Sequence, residues 1–240
     1  MDIDRIVENK MRPWENDSEL FAISRNELFT SVVGDVMDRL GLFHQFLPPA
    51  IRPLRDDMVM IGRSMPVLSV DVFGERIDGS ANKLMEKPFG MMLEALDDLK
   101  PDEIYINTGS SPRMALWGEM MSTRALKLGA AGAVLNGYSR DTSAVLKLNF
   151  PTFSWGSYGQ DSASRCKVVD FRIPIEVGNV LVKPGDILFG DVDGLCCIPK
   201  ETEAEVFTKA LEKARGEKLV KKALQEGRSA VSAFEKYGIM

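Results

Sequence analysis

The chain has 240 residues, 45% of them hydrophobic and 27% charged, with a formal net charge of −5. That is enough apolar material for one large domain with helical attachments, and the charge supplies no global attraction for nucleic acid or an anionic membrane. No run of eighteen apolar residues occurs, and Met1–Lys10 is mixed in charge without the apolar core of a signal peptide, so a cytoplasmic location is expected.

In chain order, residues 1 to about 22 read as a lead-in with Pro13 and Trp14 pinned to the body. Thr30 or Ser31 is placed to cap a helix through Val32, Val33, Val36, Met37 and Leu40, ending at Gly41. Asp35 and Asp38 lie on or beside it as solvated carboxylates, with Asp35 able to point into a site. His44, the single histidine, falls past that helix end with nothing nearby in sequence to orient it, so a structural or solvent-facing role is expected. One histidine rules out two-histidine metal sites and H-E-x-x-H chemistry.

A β-rich segment runs from Met58 to Phe73, preceded by Ile51–Leu54. Residues 81–98 carry a helical pattern interrupted by Pro88 and Gly90, and Pro101-Asp102 opens a strand over Glu103–Asn107. A turn of small residues (108–112) precedes a helix at about 117–128 and a strand at Ala133–Asn136. A short helix after Asp141, a strand at Thr152–Gly156 and a β-rich stretch from 166 to 198 follow. A last helix starts after Lys200, with a break expected at Gly216. Cys166, Cys196 and Cys197 lack C-x-x-C spacing, and packing suits them better than zinc or disulfides. No G-x-G-x-x-G follows a strand and no P-loop is present, so dinucleotide and nucleotide-phosphate binding lack support.

Chemistry concentrates between Trp117 and Asp141. A helix that starts at Gly118 leaves the N–H groups of Glu119, Met120 and Met121 without intrahelical partners, and the helix dipole favours an anion there by roughly 0.3–1 kcal/mol. An ordinary glycine-started helix without a ligand reads the same way, and Glu119 is explained equally by the dipole. Arg140-Asp141 follows a buried strand and the Gly137 turn, where α/β proteins place functional groups. The pair offers a fork for a carboxylate and a hard oxygen for a divalent cation, or else a surface ion pair worth ~0–1 kcal/mol.

Glu119, twenty intervening residues and Arg140-Asp141 together resemble the D-x20-R-D signature of class II pyruvate aldolases of the regulator-of-ribonuclease-activity-A-like family. That branch cleaves 4-hydroxy-4-methyl-2-oxoglutarate and 4-carboxy-4-hydroxy-2-oxoadipate, and its members are often mislabelled demethylmenaquinone methyltransferases. The resemblance extends over Asp35–Gly41, Gly129–Val134, Asn136–Asp141, Pro184–Asp186, Gly190–Gly194 and the tail Phe234–Met240. It departs at Glu119, where the family has Asp, at Asn136, where a strand-end Asp is common, and at Ser139, where an apolar residue is usual.

The resemblance implies an α/β/β sandwich like the swivelling phosphohistidine domain, with N- and C-terminal helical attachments. It divides the chain into a lead-in (1–22), a catalytic domain (23–200) and C-terminal helices that pack on a neighbouring subunit (201–240). It implies a homotrimer or homohexamer, Mg2+ or Mn2+ as cofactor, and a small 2-keto acid substrate. Asp141 is the implied metal ligand, and Arg140 holds the substrate's keto and carboxylate oxygens. The amides of Gly118, Glu119, Met120 and Met121 take the pyruvyl carboxylate. Glu119 helps order the metal's water shell, as does Glu217 lent by a neighbouring subunit. Lys83 and Lys87 are candidates for a distal carboxylate, with solvated lysines as the plainer reading. The implied activity is retro-aldol cleavage of a 4-hydroxy-2-keto dicarboxylate, with oxaloacetate decarboxylation alongside. The alternative within the family is a non-catalytic regulator of a ribonuclease or another protein, a branch that generally lacks the acid after the arginine. Quinone methylation would need a Gly-rich strand-end loop for S-adenosylmethionine, which the sequence does not display.

Overall fold

A computed structural model describes residues 12–238. Two compact units are formed: the terminal helices, residues 1–43 with 201–240 where described, and an α/β unit, residues 44–200. Residues 1–11, part of the expected lead-in, and the last two residues of the family-like tail lie outside the described residues.

In the helical unit, α1 (Asp17–Glu27) is capped by Asn16, whose side chain accepts the Glu19 N–H at 3.0 Å, and it buries Leu20, Phe21 and Ser24. The lead-in therefore contains a helix that charge-rich residues at 15–19 concealed. Trp14 is buried edge-on against Phe207, with ring centroids 6.4 Å apart. α2 (Thr30–Arg39) begins without any side-chain cap, because Phe29 occupies the cap position in place of Thr30 or Ser31. The long helix α6 (Glu203–Gln225) runs through Gly216 without the expected break. A mid-helix glycine costs roughly 1 kcal/mol, and the burial of Leu211, Ala214, Val220 and Ala223 on either side outweighs it. α2 groups with these helices in the compact unit of residues 1–43 and 201–240. Its Asp35 pairs with Lys213 of α6, which also meets Glu217 at 2.9 Å. Burial works against the Lys213 charge, and its hydrogen bonds to the two carboxylates more than compensate, leaving the ammonium's pKa raised. Asp35 is thus a helix-pairing residue. α7 (Ala230–Tyr237) completes the unit.

The α/β unit is built on one sheet of eight strands: β1 (Arg52–Pro53), β2 (Met60–Asp71), β3 (Glu103–Thr108), β5 (Gly132–Leu135), β7 (Thr152–Ser154), β8 (Cys166–Phe171), β11 (Ile187–Asp191) and β12 (Gly194–Ile198). The order is β1-β7-β5-β3-β2-β11-β12, with β8 also paired to β2. The chain alternates faces along each strand, and this makes three layers. Tyr105, Ala133 and Leu135 face a core covered by α3 (Met92–Asp97) and α4 (Glu119–Leu128). Ile104, Ile106 and Val134 face a second core covered by the hairpin of β9 (Ile175–Val177) and β10 (Val180–Val182). The result is an α/β/β sandwich. The sheet nearly closes where Arg52 of β1 donates from Nη1 to the carbonyls of Val192 and Asp193, 3.1 and 2.7 Å away, in the β11–β12 turn.

The helical pattern at 81–98 resolves into a 3-10 turn (Lys83–Glu86) and α3, with Gly90 at φ +63° between them. All three cysteines are free and buried, and burial pushes the Cys196 thiol pKa up. No helix among the described residues is long and apolar enough to cross a membrane.

Arg172, at the end of β8, ties the layers together. Its guanidinium meets Glu103 at 2.7 and 2.8 Å and also bonds the Asp98 carboxylate. The Arg172 hydrogen bond holds the Asp98 pKa below the usual carboxylate value. A depressed folded-state pKa stabilises the fold above the unfolded value and loses that contribution as pH falls through the folded one. The urea midpoint of the wild type should accordingly fall between pH 6 and pH 3 more steeply than that of Asp98→Asn; parallel profiles would refute the linkage.

Candidate functional site

β2, β3, β5 and β7 run parallel, so the segments that leave β3, β5 and β7 emerge on one edge of the sheet. There they form a second small layer. β4 (Ala115–Trp117) pairs in parallel with β6 (Tyr138–Ser139), and Ser139 in turn bridges Ser157. Asn136 supports the edge by donating from Nδ2 to Thr108 Oγ1 at 3.0 Å.

β4 ends on Trp117, which is buried, stacked on Phe150 and tilted against Tyr105. Its indole N–H donates to Ser122 Oγ at 2.7 Å, and Ser122 Oγ lies 3.0 Å from the Gly118 carbonyl. This locks the strand to the first turn of α4. Gly118 is the cap residue, with no side-chain cap bond, and Gly129 closes the helix at φ +81°. The Arg140 N–H donates to the Trp117 carbonyl at 2.9 Å, which carries Arg140-Asp141 to the same place.

Asp141 is the cap residue of α5 (Thr142–Lys147), in the left-handed region at φ 53°, ψ 32°, and its side chain does not cap its own helix. The carboxylate is aimed across at α4 instead: Oδ2 accepts the Glu119 N–H at 3.3 Å. A Cβ at position 118 would lie 2.7 Å from that oxygen and 3.3 Å from Arg140 Cγ, so glycine is what leaves room for the pair. The Gly118 backbone is extended, and the requirement is purely one of space. Arg140 Nε lies 3.9 Å from Asp141 Oδ2, and Nη1 forms an ion pair with Asp161 Oδ1 at 3.1 Å.

Of the residues singled out in the sequence, Gly118, Glu119, Arg140 and Asp141 thus come together. Met120 and Met121 follow on the same first turn, with Met120 exposed and Met121 buried. The carboxylate of Glu119 has no partner among the described residues. Glu217 lies in the helical unit, paired with Lys213. Lys83 and Lys87 are engaged by Glu86 and Glu94 at 2.7 and 2.8 Å, and His44 is exposed. Asp161 escaped the sequence reading. Its only local signal is an acid before Ser162-Ala163, and its Oδ2 accepts the Ala163 N–H at 3.3 Å as such a turn requires.

The donor set decides which cation suits the site. Among the described residues no group of three or more His, Cys, Asp or Glu side chains is arranged to hold a metal, which disfavours zinc. Asp141 is about half exposed, and its Oδ1 has no donor among the described residues. One half-exposed carboxylate is the kind of donor that a hard divalent cation keeping most of its own waters accepts.

The chain matches the RraA-like family (Aldolase/RraA) over residues 30–197. It is 30% identical over 206 residues to a Halalkalibacterium halodurans protein named "Putative 4-hydroxy-4-methyl-2-oxoglutarate aldolase", covering 85% of this chain and 89% of that one. It is 26% identical over 207 residues to protein DlpA of Legionella pneumophila; the match takes in 85% of this chain but only 32% of DlpA, so it spans about a third of that relative. The crystal structure of Streptomyces coelicolor RraAS2, described as an unusual member of the RNase ES inhibitor RraA protein family, shares the fold with a TM-score of 0.71 at 22% identity, covering 87% of this chain and 99% of that one. With this sandwich and a match over most of its length, the chain belongs to the RraA-like family.

Proposed function

We propose that this protein is a divalent-metal-dependent class II pyruvate aldolase, a carbon–carbon lyase that cleaves 4-hydroxy-2-keto dicarboxylates and also decarboxylates oxaloacetate. The observation that carries this reading is the Asp141 carboxylate, turned from its own helix to face the start of α4 with Arg140 alongside. The name of the H. halodurans relative supports it.

Cleavage of such a substrate leaves a pyruvate enolate, and the negative charge growing on its oxygen sets the barrier. Arg140 shares that charge through the guanidinium edge not taken by Asp161. The amides of Met120 and Met121, uncapped by any side chain, orient the pyruvyl carboxylate beside it. Asp141 would hold Mg2+ or Mn2+, which would supply Lewis acidity for the keto oxygen. Glu119 stands where it can accept hydrogen bonds from ordered water, which lets the site handle a proton without histidine. Glu217 of a neighbouring subunit completes the site in a cytoplasmic homotrimer or homohexamer.

The test is pyruvate release from oxaloacetate and from 4-hydroxy-4-methyl-2-oxoglutarate, with Mg2+ and with EDTA. Turnover should require the metal and return when it is restored. Release unaffected by EDTA would overturn the metal assignment. The kinship of RraAS2 to ribonuclease inhibitors supports a second reading, a protein regulator. That reading gains if no keto acid is turned over.

A further inference from the structure

Resting on that metal-site reading, we propose that Asp161 is a positioning residue that holds the Arg140 guanidinium away from Asp141 and so keeps the metal-binding carboxylate free. Arg140 sits between two acids, with Nη1 3.1 Å from Asp161 and Nε 3.9 Å from Asp141. A guanidinium beside one carboxylate ordinarily settles fork on fork, using both oxygens. Here it does not, because its far end is drawn to Asp161.

Asp161 is itself fixed. Its Oδ2 takes the Ala163 N–H, and its carbonyl accepts from Arg165 Nη1 at 3.1 Å. The Ser162 carbonyl next to it accepts the N–H groups of Arg165 and Cys166, both at 2.8 Å. The segment before it is held by the Tyr158 N–H on the Ser139 carbonyl, one residue from Arg140. The loop is thus a built counter-charge. Asp141 differs: one oxygen meets an amide at 3.3 Å and the other has no donor among the described residues. The two acids around one arginine divide the work, one orienting it and the other left for the cation.

Without Asp161, the guanidinium would fall onto Asp141 and compete with the cation for the same oxygens. Asparagine at 161 keeps an oxygen for the Ala163 N–H while removing the charge, so the loop is retained. The experiment measures Mn2+ binding by electron paramagnetic resonance in wild type, Asp161→Asn, Arg140→Met and the double variant. Asp161→Asn should raise the Mn2+ Kd by about fivefold with Arg140 present and by less than about twofold in the Arg140→Met background, the pattern of two residues coupled through contact. Simple loss of a nearby negative charge would weaken binding equally in both backgrounds and would overturn the proposal. A crystal structure of Asp161→Asn provides a readout that needs no metal. The guanidinium should lie within hydrogen-bond distance of both Asp141 oxygens, and an unmoved Arg140 would refute the positioning role. If the wild type binds no Mn2+ that Asp141→Asn abolishes, the metal-site reading fails by itself, and the Arg140 position still decides this one.

Discussion

Asp141→Ala should lower the kcat for pyruvate release from oxaloacetate by about a hundredfold to a thousandfold, the loss typical of removing one electrostatic stabiliser from a reacting oxygen. The variant should fold normally, since Asp141 is about half exposed, does not cap its own helix and makes only a long 3.3 Å bond to the first amide of α4. Arg140→Ala should cost a similar factor, because Arg140 and Asp141 act on the same developing charge. For that reason the double variant should fall little below either single one, as expected of groups that function as a unit. Excess Mg2+ should not rescue Asp141→Ala. Steady-state kinetics on the three variants, with circular dichroism to check folding, would decide the matter; activity surviving the loss of Asp141 would sink the lyase mechanism proposed here.

Trp117→Ala should destabilise the protein by about 3–5 kcal/mol, the usual cost of deleting a large buried aromatic. For a chain of this size that corresponds to a fall in Tm of roughly 6–20 °C. The indole stacks on Phe150 with planes 13° apart and centroids 6.0 Å apart, and its N–H is bound to Ser122. The Trp117 carbonyl also holds the Arg140 amide, so the loss should loosen the site as well as the core. Trp117→Phe retains most of the apolar contact and should lose only about 0.5–1.5 kcal/mol, the net value of a typical hydrogen bond. Thermal unfolding of the two variants separates packing from hydrogen bonding. A Trp117→Ala protein that melts with the wild type would show that the stack carries no weight.

The sequence by itself determined what depends on neighbours along the chain. Most of the order of elements after α1, the glycine-led start of α4 and the adjacency of Arg140 and Asp141 follow from local periodicity, turn residues and bonding through the backbone. The family signature added the expectation that Glu119 and Arg140-Asp141 share a site, and the chain reversals do bring the start of α4 and Asp141 within hydrogen-bond distance. Local rules failed where packing overrode them. Gly216 should have broken α6, but buried side chains on both sides carry the helix through. Thr30 or Ser31 should have capped α2, yet the chain enters that helix through Phe29.

Only the tertiary structure decided which way Asp141 faces and that Asp161 stands against Arg140. Both depend on parallel pairing between β4, β6 and the segment near Ser157, whose partners lie some twenty residues apart. Parallel register is set by the cores on both faces of the sheet, and no short window of sequence contains it. A guanidinium's aim depends on the carboxylates around it, and here the one that meets its far end, Asp161, comes from a part of the chain some twenty residues away.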